Sequence, residues 1–422
     1  MYQRHTLSNG LRILTYHMPY VHSASVLLFF GVGSRYERAE EAGISHMIEH
    51  MLFKGSERFP TAQVISETIE GVGGVLDAGT DKELTIFSAK TADRHCKLAL
   101  QLLADMVQRP RLDEVELEKE RRVVIEELNM YHDSPQDWVS VLADETVWPG
   151  LPLGREVAGT RQTIESISRE AIRNYLATFY APNNLIISVA GNITHEWVAA
   201  TIEELFGEWQ PKEVPSFQTC PLPEGVARVK IEYRKTEQTN FCLLTPGVPH
   251  SSPDYYPIIL LNAILGDGMS SRLFVEVREH QGLAYDVSTS PVSYYDTGVF
   301  AIYAGVEPRR TDEALRAVVN ELARIRATEV ASHELVHAQE YTKGRMSLRL
   351  EDTHSIASWL GGQEALLNEI HSLEDIFARI DAVSRADLQQ LAMRLFQEEW
   401  LRLAVVGPHK SAAQFDAILH LD

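Results

Sequence analysis

A repeat of long period constrains this chain more than any other feature of its sequence. An apolar run from Ala24 to Phe30 closes on Gly31-Val32, and a second run, Phe241 to Leu244, leads to Gly247-Val248. Gly31 and Gly247 stand 216 positions apart. The same 216 separates Ser168-Arg169 from Ser384-Arg385, each opening a helical pattern, and Gly191 from Gly407. Those two glycines end the buried-strand runs Leu185 to Gly191 and Leu401 to Gly407. A period this long is no solenoid; it implies two copies of one domain of about 200 residues. Between the copies lie Pro211, Pro215, Pro221, Pro223 and Gly225. Proline at that density forbids a regular helix or a central strand, so 211–225 is expected to be a linker between domains 1–210 and 226–422.

Each copy mixes element types. In the first, Leu7 to Tyr16 reads as a hairpin around Asn9-Gly10. Ser23 to Phe30 reads as a strand, Gly43 to Phe53 and Ala62 to Glu70 as helices, and Gly71 as a stop. Two strand-like runs follow within Val75 to Lys90, then an amphipathic helix from Asp93 and a long, charge-rich helix from Leu112 to Tyr131. Ser168 to Phe179 is a further helix before the Leu185 strand. Strands that follow one another directly, with helices in pairs, indicate α+β: two homologous domains, each a mostly antiparallel sheet with helices packed on one face.

Composition narrows the function classes. With 45% hydrophobic and 23% charged residues the 422-residue chain is ordinary globular protein. Its formal net charge of −20 repels polyanions, and no basic patch offsets it, so a nucleic-acid partner is not expected. Cys96, Cys220 and Cys242, an odd count at wide spacing, fit no disulfide framework and no metal knuckle. No secretory leader and no apolar stretch of membrane-spanning length is evident. The expectation is a cytoplasmic protein with no membrane partner.

One word carries chemistry: His46-Met47-Ile48-Glu49-His50. Residues four apart share a helix face, so His46 and His50 can aim their imidazoles at one point, a spacing that suits Zn²⁺. Glu49 flanks that face and can move a proton for an attacking water without ligating the metal. The order is that of the inverted zincins. Two imidazoles hold zinc poorly, so a third ligand is needed. The long helix offers Glu114, Glu116, Glu118, Glu120, Glu126 and Glu127. Glu120 and Glu127 share a face two turns apart, and one could bind metal while the other supports a ligand histidine. Helical geometry alone leaves Glu126 and Glu127 open.

The word and its continuation, Met51-Leu52-Phe53-Lys54-Gly55, resemble the M16 metallopeptidase family, which includes mitochondrial processing peptidase, pitrilysin and insulin-degrading enzyme. The resemblance spans essentially the whole chain and includes Glu120 to Leu128, Gly73-Gly74 through Thr80, Pro152 to Arg155, Gly159-Thr160 and Asn183 to Leu185. It implies Glu127 as third ligand and Glu120 as helper, one Zn²⁺ per chain, and endopeptidase action on short or unfolded peptides. The repeat offset places Asn262, Gly266 and Lys343 where the ligands would recur, so the second copy is expected to hold no metal. That copy carries Arg278 and Tyr285, which resemble the family's substrate-contacting Arg/Tyr pair, and a guanidinium and a phenol can stabilise a developing oxyanion. Because one chain is one half of the family's clamshell, the resemblance implies a homodimer, or a heterodimer with a related subunit. Leu76 to Thr80 matches the strand on which family substrates pair, implicating Asp77, Ala78, Gly79 and Thr80. Asp77 stands where the family commonly has asparagine, and a carboxylate there would favour a cationic side chain. The rival reading is a non-catalytic or partner-dependent structural subunit, against which the intact zinc word argues.

Overall fold

The apolar run Ser23–Phe30 forms a strand whose alternate residues enter two different cores. Val26, Leu28 and Phe30 pack in one cluster, while Leu27 and Phe29 pack in another. An uninterrupted apolar strand is what a sheet covered on both faces requires. In the computed structural model, which describes residues 2–222 and 227–421, this strand is β3 of a six-stranded sheet. The others are β1 (Tyr2–Thr6), β2 (Arg12–His17), β4 (Val75–Thr80), β5 (Thr85–Ala92) and β6 (Leu185–Gly191), in the order β1-β2-β6-β3-β5-β4. Only β2 and β6 run parallel. The hairpin expected at Asn9-Gly10 is present, pairing Thr6 with Arg12 and Tyr2 with Tyr16.

The second sheet repeats the first. Strands β7 (Val229–Tyr233), β8 (Thr239–Pro246), β9 (Ala284–Ser293), β10 (Gly298–Val306) and β11 (Arg402–Gly407) are ordered β7-β11-β8-β10-β9. Residues 239–246 of β8 lie 216 beyond residues 23–30 of β3, and the one parallel pair, β7 with β11, matches β2 with β6. The α+β class and the duplicated, mostly antiparallel sheets stand as expected. Among the described residues no helix is long and apolar enough to cross a membrane.

Helices mass on one face of the first sheet: α1 (Ile44–Leu52), α2 (Ala62–Glu70), α3 (Cys96–Gln108) and α4 (Glu114–Asp133). The other face is closed by a single helix from the far half of the chain, Thr353–Leu367. Its Ile356, Ala357 and Leu360 bury against Leu14, Leu27, Phe29 and Ile186. The contribution is reciprocal. Helix α5 (Pro135–Val147), from the first half, buries Val139, Leu142, Ala143 and Val147 with Cys242, Leu244, Ala404 and Val406 of the second sheet. The packing units are therefore residues 1–128, 156–218 and 348–370, and residues 129–155, 219–347 and 371–422. A single cut at 211–225 does not reproduce them, because each sheet takes its covering helix from the other copy. The described part of 211–225 is neither helix nor strand; Pro223 and Gly225 lie outside the described residues.

Candidate metal centre

Helix α1 is amphipathic in a way that sorts chemistry from packing. Ile44, Met47, Ile48, Met51 and Leu52 are buried in the core, leaving His46, Glu49 and His50 on the opposite side. Its start is fixed by Gly43, whose φ of +93° disfavours a side chain and whose Cβ would sit 2.6 Å from the Ala158 carbonyl oxygen. Glu37 then accepts the backbone N–H groups of Gly43 and Ser45, both at 2.8 Å, placing a carboxylate where the helix dipole favours it.

Helix α4 supplies the facing groups. Leu117, Glu120 and Val124 form its buried stripe, so Glu120 is a carboxylate on an apolar face. One turn beyond Val124, Glu127 reaches the histidines, whereas Glu126 is exposed. Donor atoms of His46, His50 and Glu127 lie within 4.8 Å of one another, the one such group among the described residues. Glu127 Oε2 is 3.7 Å from His46 Nε2 and 3.6 Å from His50 Nε2. Those separations are too long for hydrogen bonds. They are close to the roughly 3.3 Å that separates ligands 2.0–2.1 Å from a shared tetrahedral ion. Two imidazole nitrogens and one carboxylate oxygen, with a fourth direction open, fit Zn²⁺.

Around these three the remaining groups are aimed. Glu120 Oε2 accepts from His50 Nδ1 at 3.1 Å, which turns Nε2 toward Glu127. Lys54 Nζ pairs with the other oxygen of Glu120 at 2.8 Å. Thr80, the last residue of β4, donates its hydroxyl to Glu49 Oε2 at 2.6 Å. Burial lowers His46 to about 4, with His50 nearby reinforcing the shift. Burial also works against a charge on His50, but Glu120 and Glu127 outweigh it and raise that histidine to about 9. Burial opposes the charge on Glu120 too, and His50 and Lys54 still hold it below the ordinary carboxylate range. Glu127 is held low by His50 first and His46 second, against its own burial. Glu49 moves the other way: burial raises it, and the Thr80 hydroxyl offsets only part of that. A carboxylate raised by burial beside a cluster of metal donors has the character of a general base.

The other sequence-derived residues fall as follows. Strand β4, with Asp77, Ala78, Gly79 and Thr80, is the outermost strand of its sheet, pairing with β5 on one side. Asp77 is exposed and accepts the Ala78 N–H at 2.9 Å, so its carboxylate is folded back on its own backbone. In the second unit, Arg278 lies in the helical stretch Phe274–His280 with its guanidinium 4.7 Å from the Phe274 ring centre and 5.5 Å from that of Tyr285. Its pairing with Glu279 is loose, at 3.9 Å. Tyr285 is 77% exposed. Where the ligands would recur, Asn262 accepts from the Thr289 hydroxyl at 2.6 Å and Lys343 pairs with Asp381 at 2.8 Å. Sequence reasoning gave Lys54 no role and did not link Thr80 to Glu49. The spacing His46, His50, Lys54, four residues each, was the available signal for the first; nothing local signals the second.

Known proteins resemble this chain along nearly its whole length. Residues 12–161 match the family described as Insulinase (Peptidase family M16), and residues 166–341 match the Peptidase M16 inactive domain. The chain is 37% identical over 414 residues to "Uncharacterized zinc protease YmxG" of Bacillus subtilis, covering 97% of this chain and 98% of that protein. The crystal structure of a protease from Helicobacter pylori superposes with a TM-score of 0.90 at 22% identity, over 96% of this chain and 99% of that one. A chain of complex III2 from Candida albicans superposes at 0.86 with 21% identity, covering 99% of both. One fold thus serves a protease and a chain of complex III2 alike, and the fold by itself does not assign an activity.

Proposed function

Because this chain belongs to the M16 peptidase family, we propose that it is a zinc-dependent endopeptidase of short or unfolded peptides. The observation that carries the reading is the spacing of His46, His50 and Glu127, set for a shared ion, with Glu49 beside them. A zinc ion held there supplies a Lewis acid that activates water and polarises the scissile carbonyl. The chain's own residues do the rest. Glu49, raised by burial and aligned by Thr80, takes the proton of the attacking water and returns it to the leaving amine. Glu120 fixes the ring of His50. The open side of β4 offers backbone pairing to an extended peptide, which reads main chain and tolerates many sequences. Arg278 and Tyr285, adjacent on the second unit, are assigned to the substrate carbonyl, supplied by a second copy in a homodimer.

Metal analysis joined to a fluorogenic-peptide assay tests this. The wild-type protein should take up one Zn²⁺ per chain and cleave. Glu49→Gln should bind zinc equally well and lose about 10²–10⁴-fold in turnover. Zinc uptake with no cleavage by the isolated protein would favour a partner-dependent subunit, and folded protein that takes up no zinc would favour a structural role.

A further inference from the structure

We propose that Lys54 is a positioning residue of the metal centre: it holds one oxygen of Glu120 and leaves the other free to orient His50. The inference rests on the zinc reading above and deepens it. Helical hydrogen bonding persists past α1, with Phe53 N–H donating to His50 O and Lys54 N–H to Met51 O. Lys54 therefore emerges one turn beyond His50 on the face that carries His46 and His50. Glu120 faces that row, 5% exposed, and its two oxygens have separate partners: Lys54, just past the end of α1, at 2.8 Å and His50 at 3.1 Å. The burden on this carboxylate is high because His46 has no equivalent. Its Nδ1 is buried without a hydrogen-bond partner among the described residues.

The second copy contains an arginine pair for comparison. Arg272 and Glu334 do not stand at the offset positions of Lys54 and Glu120, which are Ser270 and Val336, but their guanidinium takes both carboxylate oxygens, at 2.8 and 2.9 Å. That copy has Gly266 where His50 would recur, so no imidazole competes. An ammonium is a point charge that grips a single oxygen, while a planar guanidinium forks across two. Lysine in the first copy keeps the pair between helices and still leaves an acceptor for the histidine.

The test measures Zn²⁺ affinity by chelator competition, and the thermal midpoint of the ion-free protein, for wild type, Lys54→Met and Lys54→Arg. Lys54→Met should weaken zinc binding by roughly 10–100-fold. Lys54→Arg should keep the ion-free midpoint yet still weaken zinc binding about tenfold, because its fork takes the oxygen His50 uses. In a Glu120→Gln background, Lys54→Met should change zinc affinity less than about twofold. Zinc binding by Lys54→Met at wild-type strength overturns the inference. So does restoration of both affinity and midpoint by Lys54→Arg, which would make Lys54 a structural brace. Wild-type protein without zinc affinity overturns the zinc reading and this inference together; variants indistinguishable from a zinc-binding wild type overturn this inference alone.

Discussion

Glu49 is aligned by a strand rather than by its own helix. The Thr80 hydroxyl ends β4 and donates to the carboxylate, so the residue proposed to move the proton is tied to the strand proposed to receive the peptide. Thr80→Val removes that donor and lets burial raise Glu49 further, so the acid limb of kcat/KM should move to higher pH while Thr80→Ser leaves it in place. An unmoved acid limb in Thr80→Val would separate Thr80 from Glu49. The histidines give a second pH signature. His46, lowered to about 4, is neutral at pH 7, whereas His50, raised to about 9, carries a proton that an incoming ion must displace. Zinc affinity should therefore climb by about tenfold per unit from pH 7 and level off above about 9. Calorimetry at pH 7 in two buffers of different ionisation heat should report about one proton released per ion; release of none would refute it. At this scale the sequence supplied His46, Glu49 and His50 outright, because all three lie in one helical turn. Helical spacing left Glu126 and Glu127 open and only the family resemblance pointed to Glu127, because neighbours on a helix differ by about 100° and the packing of α4 sets which one faces α1.

Among the helices that local pattern left unassigned, α5 and Thr353–Leu367 matter most for the fold. They occupy matching places in the repeat, since 135–147 advanced by 216 falls on 351–363. Each covers the second face of a sheet built by the other copy. The all-apolar β3 already hinted at a second cover, but no strand records which segment supplies it. The fit of the helix on β3 is close: a Cβ on Gly361 would come within 2.1 Å of the Phe29 ring. Gly361→Ala should destabilise the first unit by about 1–3 kcal/mol through overpacking, read as a lower denaturation midpoint. An unchanged midpoint would mean that the helix is not seated on Phe29. At the helix ends the sequence was readable, since caps are local. Ser168 and Thr61 accept the N–H groups three residues on, as their positions before helical runs predict.

At the scale of the whole chain, the reciprocal helices make the two copies interdependent for folding. A fragment of residues 1–210 lacks Thr353–Leu367 and would expose Leu27, Phe29 and Ile186 to water. It should bind a hydrophobic dye or aggregate, and co-expression with residues 211–422 should restore a soluble pair; a stable, dye-silent 1–210 fragment would contradict the exchange. The sequence by itself determined the duplication, the α+β class and the zinc word, because each is written in short-range spacing: strand periodicity, helical turns and one constant offset. Tertiary structure decided what helical spacing left open and the family resemblance had implied, that Glu127 rather than Glu126 turns to the histidines; it alone showed that Lys54 pairs with Glu120 and Thr80 with Glu49, and that each sheet borrows a helix from the opposite copy. Those depend on how distant segments pack, and a residue's neighbours across a core leave no mark on the residues beside it in the chain.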